Sequence, residues 1–338
     1  MTSKQMFFIV GRGRSGTSLL QTILNQHPHI AVAPEAQFVM LLYRKYRRRK
    51  FDEKVILNFY QDLFLEARLK NWKIDKTLLK KELLAIDKPD FSKLTHCVYA
   101  HYGHQRGKIK PLILGDKNPH YALFVKDLIQ IFPKAKFIHL IRDARDNVLS
   151  YRNVSFDMKS TTALAYRWNF YHKEILKVSE QYNAQFTRLY FEQLIESPEK
   201  ELRRICRFLG VGYNPGMLQF YQSVEWDTPW RRNLYKPLDR NLPQNWRQKM
   251  SQEDIGAVEC VCGKLLSKFS YSVSLSNVTP INYYFIKIFG FFCAGIYTCL
   301  EKVIYYFPIR FVAWFLIGYR KLTGTWITEE KSTAGVHA

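Results

Sequence analysis

Acidic side chains are scarce in this chain: 29 aspartates and glutamates stand against 51 lysines and arginines in 338 residues, a formal net charge of +22. Such an excess of one sign seeks anions, so the partner classes are a charged nucleotide, a nucleic acid or an anionic bilayer. No helix-turn-helix, zinc-finger or RNA-binding aromatic signature accompanies the charge, which leaves nucleic acid without a reading element. Cysteine is sparse too. The six, at 97, 206, 260, 262, 293 and 299, lack framework-like spacing, which excludes a disulfide scaffold and fits reduced, buried thiols. Cys260 and Cys262 fall in a helical pattern where their side chains diverge, so they form no metal pair. His101 and His104 have no thiol or carboxylate nearby to complete a site and read as surface histidines. A secretory leader is also missing, because the chain enters its first strand at once, and the expectation is a cytoplasmic catalytic domain.

What is present begins at residue 6. Met6 to Val10 is a short apolar run, Gly11 to Ser18 a turn rich in glycine, arginine and hydroxyls, and Leu19, Leu20, Ile23 and Leu24 recur at helical spacing. Strand, glycine-rich loop and helix in that order form an anion-binding device, with loop N–H groups and a helix N-terminus aimed at one spot. The spacing from Gly11 to Gly16 is that of nucleotide triphosphate-binding loops, but Thr17 stands where those loops carry lysine. Arg12 and Arg14 are the nearest cations, and beside a helix N-terminus they are unfavourable unless an anion sits between them. A nucleoside or small-molecule kinase is the alternative on the same loop, and a non-catalytic nucleotide sensor is another. The missing lysine and Arg142, where a magnesium-holding aspartate would stand, argue against the kinase.

The segment Arg14-Ser15-Gly16-Thr17-Ser18-Leu19-Leu20, with Asn25 to His29 and Pro34-Glu35 after it, resembles the sulfotransferases that use 3′-phosphoadenosine 5′-phosphosulfate (PAPS). It is most similar to their branch of protein-tyrosine and carbohydrate enzymes. The resemblance implies a 5′-phosphosulfate loop made of Arg12, Gly13, Arg14, Ser15, Gly16, Thr17 and Ser18, and Glu35 as general base. It extends to Gly115-Asp116-Lys117-Asn118-Pro119, where Lys117 would assist catalysis together with Arg14, and to Arg142 and Ser150, which would hold the 3′-phosphate. His120 is a reserve base. Farther on, Phe191-Glu192-Gln193-Leu194 is similar to a family segment that carries tyrosine where this chain has Phe191. Residues 213–247 resemble a late loop folding over the nucleotide, with Arg231, Arg232 and Arg247 among Trp226, Trp230 and Trp246. The implied activity is transfer of a sulfuryl group from PAPS to an acceptor hydroxyl, without a metal.

The remaining pattern fits a P-loop-like α/β fold, a parallel sheet flanked by helices. Residues 29–32, 111–114, 136–141 and 186–191 read as further strands, and His139 as an internal histidine. Helical periodicity over 51–106 predicts an α-helical insertion that forms one wall of an acceptor pocket, preceded by the basic run Arg47-Arg48-Arg49-Lys50. Ser251 is set to cap a last helix of the domain. The expected division is a PAPS-binding domain over 1–272 and a hydrophobic tail over 273–338. Two apolar runs, Ile281 to Leu300 and Val303 to Tyr319, predict a helical hairpin. A transmembrane hairpin, helices buried on the domain and a hairpin lying in the membrane interface all fit. Many Tyr and Trp residues, the interior cations Lys287 and Arg310, and flanking Lys302, Arg320 and Lys321 favour the interface, on an anionic cytoplasmic face. An acceptor presented at the membrane follows from that choice. The acceptor's identity and the oligomeric state are not legible in the residues.

Overall fold

The structure is a computed structural model that describes residues 5–108, 113–154, 157–222, 234–274 and 281–315. Five parallel strands, β1 (Gln5–Val10), β2 (Ile30–Ala33), β3 (Ile113–Lys117), β4 (Lys136–Ile141) and β5 (Phe186–Tyr190), pair in the order β2-β3-β1-β4-β5. Alternation along β1 explains why the sheet is covered on both faces. Met6, Phe8 and Val10 enter one core while Phe7 and Ile9 enter the other.

The helices are α1 (Thr17–Asn25), α2 (Phe38–Tyr46), α3 (Glu53–Leu63), α4 (Lys76–Leu84), α5 (Phe91–Gln105), α6 (Val125–Ile131), α7 (Ala144–Arg152) and α8 (Thr161–Gln181). They continue with α9 (Phe191–Glu196), α10 (Pro198–Leu209), α11 (Trp246–Lys249), α12 (Gln252–Lys268) and α13 (Ile281–Val303). The expected insertion is α3 to α5, each helix opened by an aspartate, Asp52, Asp75 and Asp90, that accepts a backbone N–H in its first turn. Ser251 caps α12 as expected, with Asp254 N–H donating to its Oγ at 3.1 Å.

Two expectations change. Phe191 is the first residue of α9 rather than the last of β5. His101 is buried at 1% exposure and paired with Glu82 at 2.7 Å, because the α4–α5 packing covers the face of α5 that carries it. His139 is internal, 2.7 Å from the ring of His172. No disulfide joins the six cysteines; Cys206 and Cys262 are buried, whereas Cys260 and Cys299 are exposed, unlike the buried thiols expected.

The C-terminal segment is helical over 281–303, breaks at 304–308 and is helical again over 309–315; residues 316–319 of the expected second helix lie outside the described residues. The stretch Lys287–Tyr306 is long and apolar enough to cross a membrane by length and composition. However, α13 lies along α8. Gly290 meets Thr162 with no room for a Cβ, Phe291 packs edge-on against Tyr166 and Phe170, and Ala294 is fully buried. The opposite face, Phe289, Phe292, Ile296 and Leu300, is 59–68% exposed, and Trp314 is 70% exposed. The helix is therefore amphipathic in reverse, with its acid directed into the protein and its apolar stripe outward.

Candidate active site

Parallel sheets carry ligands at the carboxyl ends of their strands, and here the ends of β1, β2, β3 and β4 converge. The loop after β1 is shaped by backbone need. A Cβ on Gly11 would strike the Leu140 carbonyl, one on Gly13 the Tyr151 hydroxyl, and Gly16, at φ 95°, lies against the ring of Phe191. Arg14 takes the left-handed conformation at φ 60°, which turns successive N–H groups toward one side. Asn147 of α7 holds the loop in place, donating to Gly13 O at 2.8 Å and to Ser15 Oγ at 3.0 Å. No side chain caps the start of α1, whose first turn also has no acid. An anion there would meet the N–H groups a cap would otherwise take.

Glu35 follows β2 and Lys117 ends β3, and the two are ion-paired. Lys117, fully buried, also donates to Ser18 Oγ at 3.2 Å, so one ammonium touches the candidate base and the rim of the loop. It belongs to the strand; the helical turn beyond it is capped by Asn118. Arg68 of the insertion stands 3.8 Å from the other Glu35 oxygen.

Arg142 leaves β4 in a fixed frame. Its carbonyl accepts from the Trp168 indole at 3.1 Å, and the next N–H, of Asp143, donates to Glu192 at 3.0 Å. Its guanidinium donates to Arg14 O at 3.2 Å and to Leu242 O at 3.4 Å, while Nε is buried without a hydrogen-bond partner among the described residues. Asp146 is a distant ion partner at 4.0 Å. A largely buried guanidinium with a spare donor fits a phosphate, which can accept from it in a fork. Arg14 Nε donates to Ser150 Oγ at 3.1 Å, which joins the loop to the α7 hydroxyl expected beside the 3′-phosphate. The residues present thus fit a nucleotide with phosphates at both the α1 and β4 ends.

Two residues expected to touch the nucleotide have protein partners in the structure. Arg12 is 3% exposed, paired with Asp157 at 2.6 Å, and its guanidinium carbon stands 4.1 and 4.8 Å from the ring centres of Tyr151 and Tyr171. The chain continues inward: Asp157 also pairs with Arg167, and Arg167 pairs with Glu301 of α13. Arg247 is exposed on α11, bonded to Gln244 at 3.0 Å and stacked on Trp246. Residues 226, 230, 231 and 232 lie outside the described residues. The nearby stretch at 242–246 is tied over the site by Asp146, which accepts from the N–H groups of Gln244 and Trp246 at 2.7 and 3.0 Å.

Beside Arg68, whose Nη1 stands 3.8 Å from Glu35, opens a cleft of about 390 Å³. Arg68, His120 and Glu301 line its polar end; Leu41, Leu65 and Ile304 are among its apolar walls. Residues 65–68 of the insertion form one wall, and the C-terminal segment forms another. His120 stands 3.7 Å from Glu301, and its pKa is lowered by burial, which Glu301 opposes. Asp116, next to Lys117, is fully buried and its pKa is pushed up to about 8, by burial first, while the bond from Tyr99 and the charge of Lys117 work the other way.

The profile of the sulfotransferase family matches residues 6–215, which covers every element described at the donor end except the 242–246 stretch. The chain belongs to the sulfotransferase family. A putative protein-tyrosine sulfotransferase of Caenorhabditis briggsae is 26% identical over 229 residues, 65% of this chain and 71% of that one. Protein-tyrosine sulfotransferase 1 of Danio rerio is 28% identical over 296 residues, 82% of this chain and 74% of that one. In three dimensions the sulfotransferase domain of the Synechococcus PCC 7002 olefin synthase has a similar fold, with a TM-score of 0.58 at 22% identity over 81% of this chain and 98% of that one. This sulfotransferase therefore transfers a sulfuryl group with PAPS as co-substrate to an acceptor hydroxyl.

Asn147, Asp146 and Phe191 are site residues that sequence reading missed. Asn147 and Asp146 sit in the recognised α7 segment, but nothing local says what their side chains reach. Phe191 stood out only as a departure from tyrosine. Its role is packing: the ring lies under Gly16 and 4.5 Å from the Arg142 guanidinium carbon.

Proposed function

We propose that Glu35 is the general base of this sulfotransferase, that Arg14 and Lys117 offset charge on the departing phosphate, and that Arg142 and Ser150 hold the 3′-phosphate. PAPS supplies the sulfuryl group, transferred in line to the acceptor oxygen. The observation that carries the reading is the position of Lys117 between Glu35 and Ser18. For Glu35 to take a proton, its pair with Lys117 must loosen, and the ammonium then has the loop's rim as its other neighbour. Freeing the base and supplying a cation to the leaving group become one movement. The scheme uses no metal, so chelation leaves turnover unchanged.

Glu35→Gln tests the assignment, because the near-isosteric amide keeps the packing and removes the base. We expect unchanged affinity for adenosine 3′,5′-bisphosphate by calorimetry and turnover lowered by about two orders of magnitude or more. Near-normal turnover would move the role to His120, which shares the cleft with Glu301 and Arg68.

In the same reading, residues 1–272 carry the donor chemistry and 273–338 the membrane contact, peripheral on an anionic cytoplasmic face. The outward apolar stripe of α13 supports it. So does the neighbouring charge: Arg44 of α2 and Arg47 of the basic run share a small cleft with Lys302 and Tyr306, and Arg48, Arg49 and Lys50 are exposed beside them.

A further inference from the structure

The cleft beside Glu35 has two unlike ends. At one, Arg68 Nη1 is buried without a hydrogen-bond partner among the described residues, and His120, Glu301 and Glu66 offer further polar atoms. At the other, Leu41, Leu65, Ile304, Ile309 and Val312 offer only hydrocarbon. At about 390 Å³ it lies near the small end of ligand pockets, which run from about 300 to 1,000 Å³. A polar head with one apolar chain fits such a shape; a folded peptide segment or a glycan chain does not. Half the wall is the C-terminal segment, and Leu300 both lines the cleft and stands 61% exposed in the outward stripe. The cleft wall and the apolar surface thus share a residue.

We propose that this cleft is the acceptor site and that the acceptor is a membrane lipid bearing a free hydroxyl on its head group. The lipid enters past Leu300 without its chain crossing water. Its chain rests among Leu65, Ile304 and Ile309, and its hydroxyl reaches the polar end beside Glu35. There the hydroxyl oxygen bonds to the sulfur of PAPS and the bond from sulfur to the 5′-phosphate oxygen breaks. Adenosine 3′,5′-bisphosphate leaves with that electron pair, and the hydroxyl proton passes to Glu35. The proposal rests on the reading of Glu35 as base, and the test separates the two.

Full-length protein, labelled PAPS and a series of linear 1-alkanols from butanol to dodecanol give the first readout. Burial of each added methylene should raise kcat/KM about fourfold until the cleft is filled, after which the rise stops. Leu65→Asp, at a position 36% exposed and so tolerant of charge, should lower kcat/KM for decanol at least tenfold and leave adenosine 3′,5′-bisphosphate affinity unchanged. Dependence on chain length that is flat, or a tyrosine peptide sulfated better than any alkanol and equally well by Leu65→Asp, would overturn the proposal. The second readout is a decanol carrying a photoreactive diazirine. Crosslinks should map to Leu41, Leu65 and Ile309. Crosslinks confined to Phe289, Phe292 and Trp314 overturn the cleft even if transfer occurs. Crosslinks in the cleft without transfer uphold the acceptor site and count against Glu35 instead.

Discussion

The ring of Phe191 stands 4.5 Å from the guanidinium carbon of Arg142 and directly beneath Gly16, so one side chain supports both ends of the donor site. Arg142→Ala should weaken adenosine 3′,5′-bisphosphate binding by about 2 kcal/mol or more, measured by calorimetry. Phe191→Leu removes the π face and keeps the bulk, and should weaken it by about 0.5–1 kcal/mol. Equal affinity in both variants and the parent would return Arg142 to a purely structural role.

Glu301 is the terminal acid of a buried series of charges that starts in the phosphate loop at Arg12. Glu301→Gln leaves Arg167 with one carboxylate where it had two. Removing one partner of a buried pair is destabilising by about 3–5 kcal/mol, and the amide's remaining hydrogen bond places the expected loss at about 3. A melting curve checks it. A melting temperature equal to that of the parent would mean that the tail is not coupled to the domain.

Asp116 gives a pH signature. Its folded pKa, about 8, lies above the unfolded value of 3.8, so between those values the folded state holds a proton that the unfolded state has released. Stability from this group is fully present below about pH 4 and is lost as pH rises through 8. Asp116→Asn, still able to bond Tyr99, should therefore gain on the parent by a few kcal/mol between pH 5 and pH 8. Denaturant midpoints across that range test the sign; a difference independent of pH would show that Asp116 stays ionised.

The outward stripe should carry membrane binding. Full-length protein should float with anionic vesicles, bind neutral ones less well, and be only partly released by high salt, since burial of apolar area is not screened. Phe289→Glu with Phe292→Glu should abolish flotation and leave the fold intact, because both side chains face away from α8. Flotation unchanged by both substitutions would exclude this face.

What the sequence disclosed follows from how far each feature depends on its neighbours in the chain. The strand at 5–10, the loop, β4 with Arg142, and the Ser251 cap are local patterns of apolar alternation, turn residues and hydroxyls, and they stand where expected. The partners of Arg12 were not legible, because its direction depends on Asp157 and Tyr171, far along the chain. His101 looked like a surface residue because Glu82 arrives from another helix. The tail's high hydropathy was plain, whereas its polarity was not. Inward and outward faces of α13 differ by which residues meet α8, and composition averages over both.

The series Arg12, Asp157, Arg167 and Glu301 also bears on the order in which the enzyme becomes complete. Synthesis runs from residue 1 onward, and an arginine of the catalytic loop emerges long before the glutamate that closes the charge balance around Arg167. A nascent chain halted before residue 301 carries an unmatched buried cation, with α8 uncovered along one side. Maturation of the donor site is therefore expected to follow emergence of the segment proposed to meet the bilayer, and on that reading the enzyme acquires its competence and its address together. Ribosome-bound chains stalled before and after residue 301 should differ in retention on immobilised adenosine 3′,5′-bisphosphate, and equal retention would uncouple the two events.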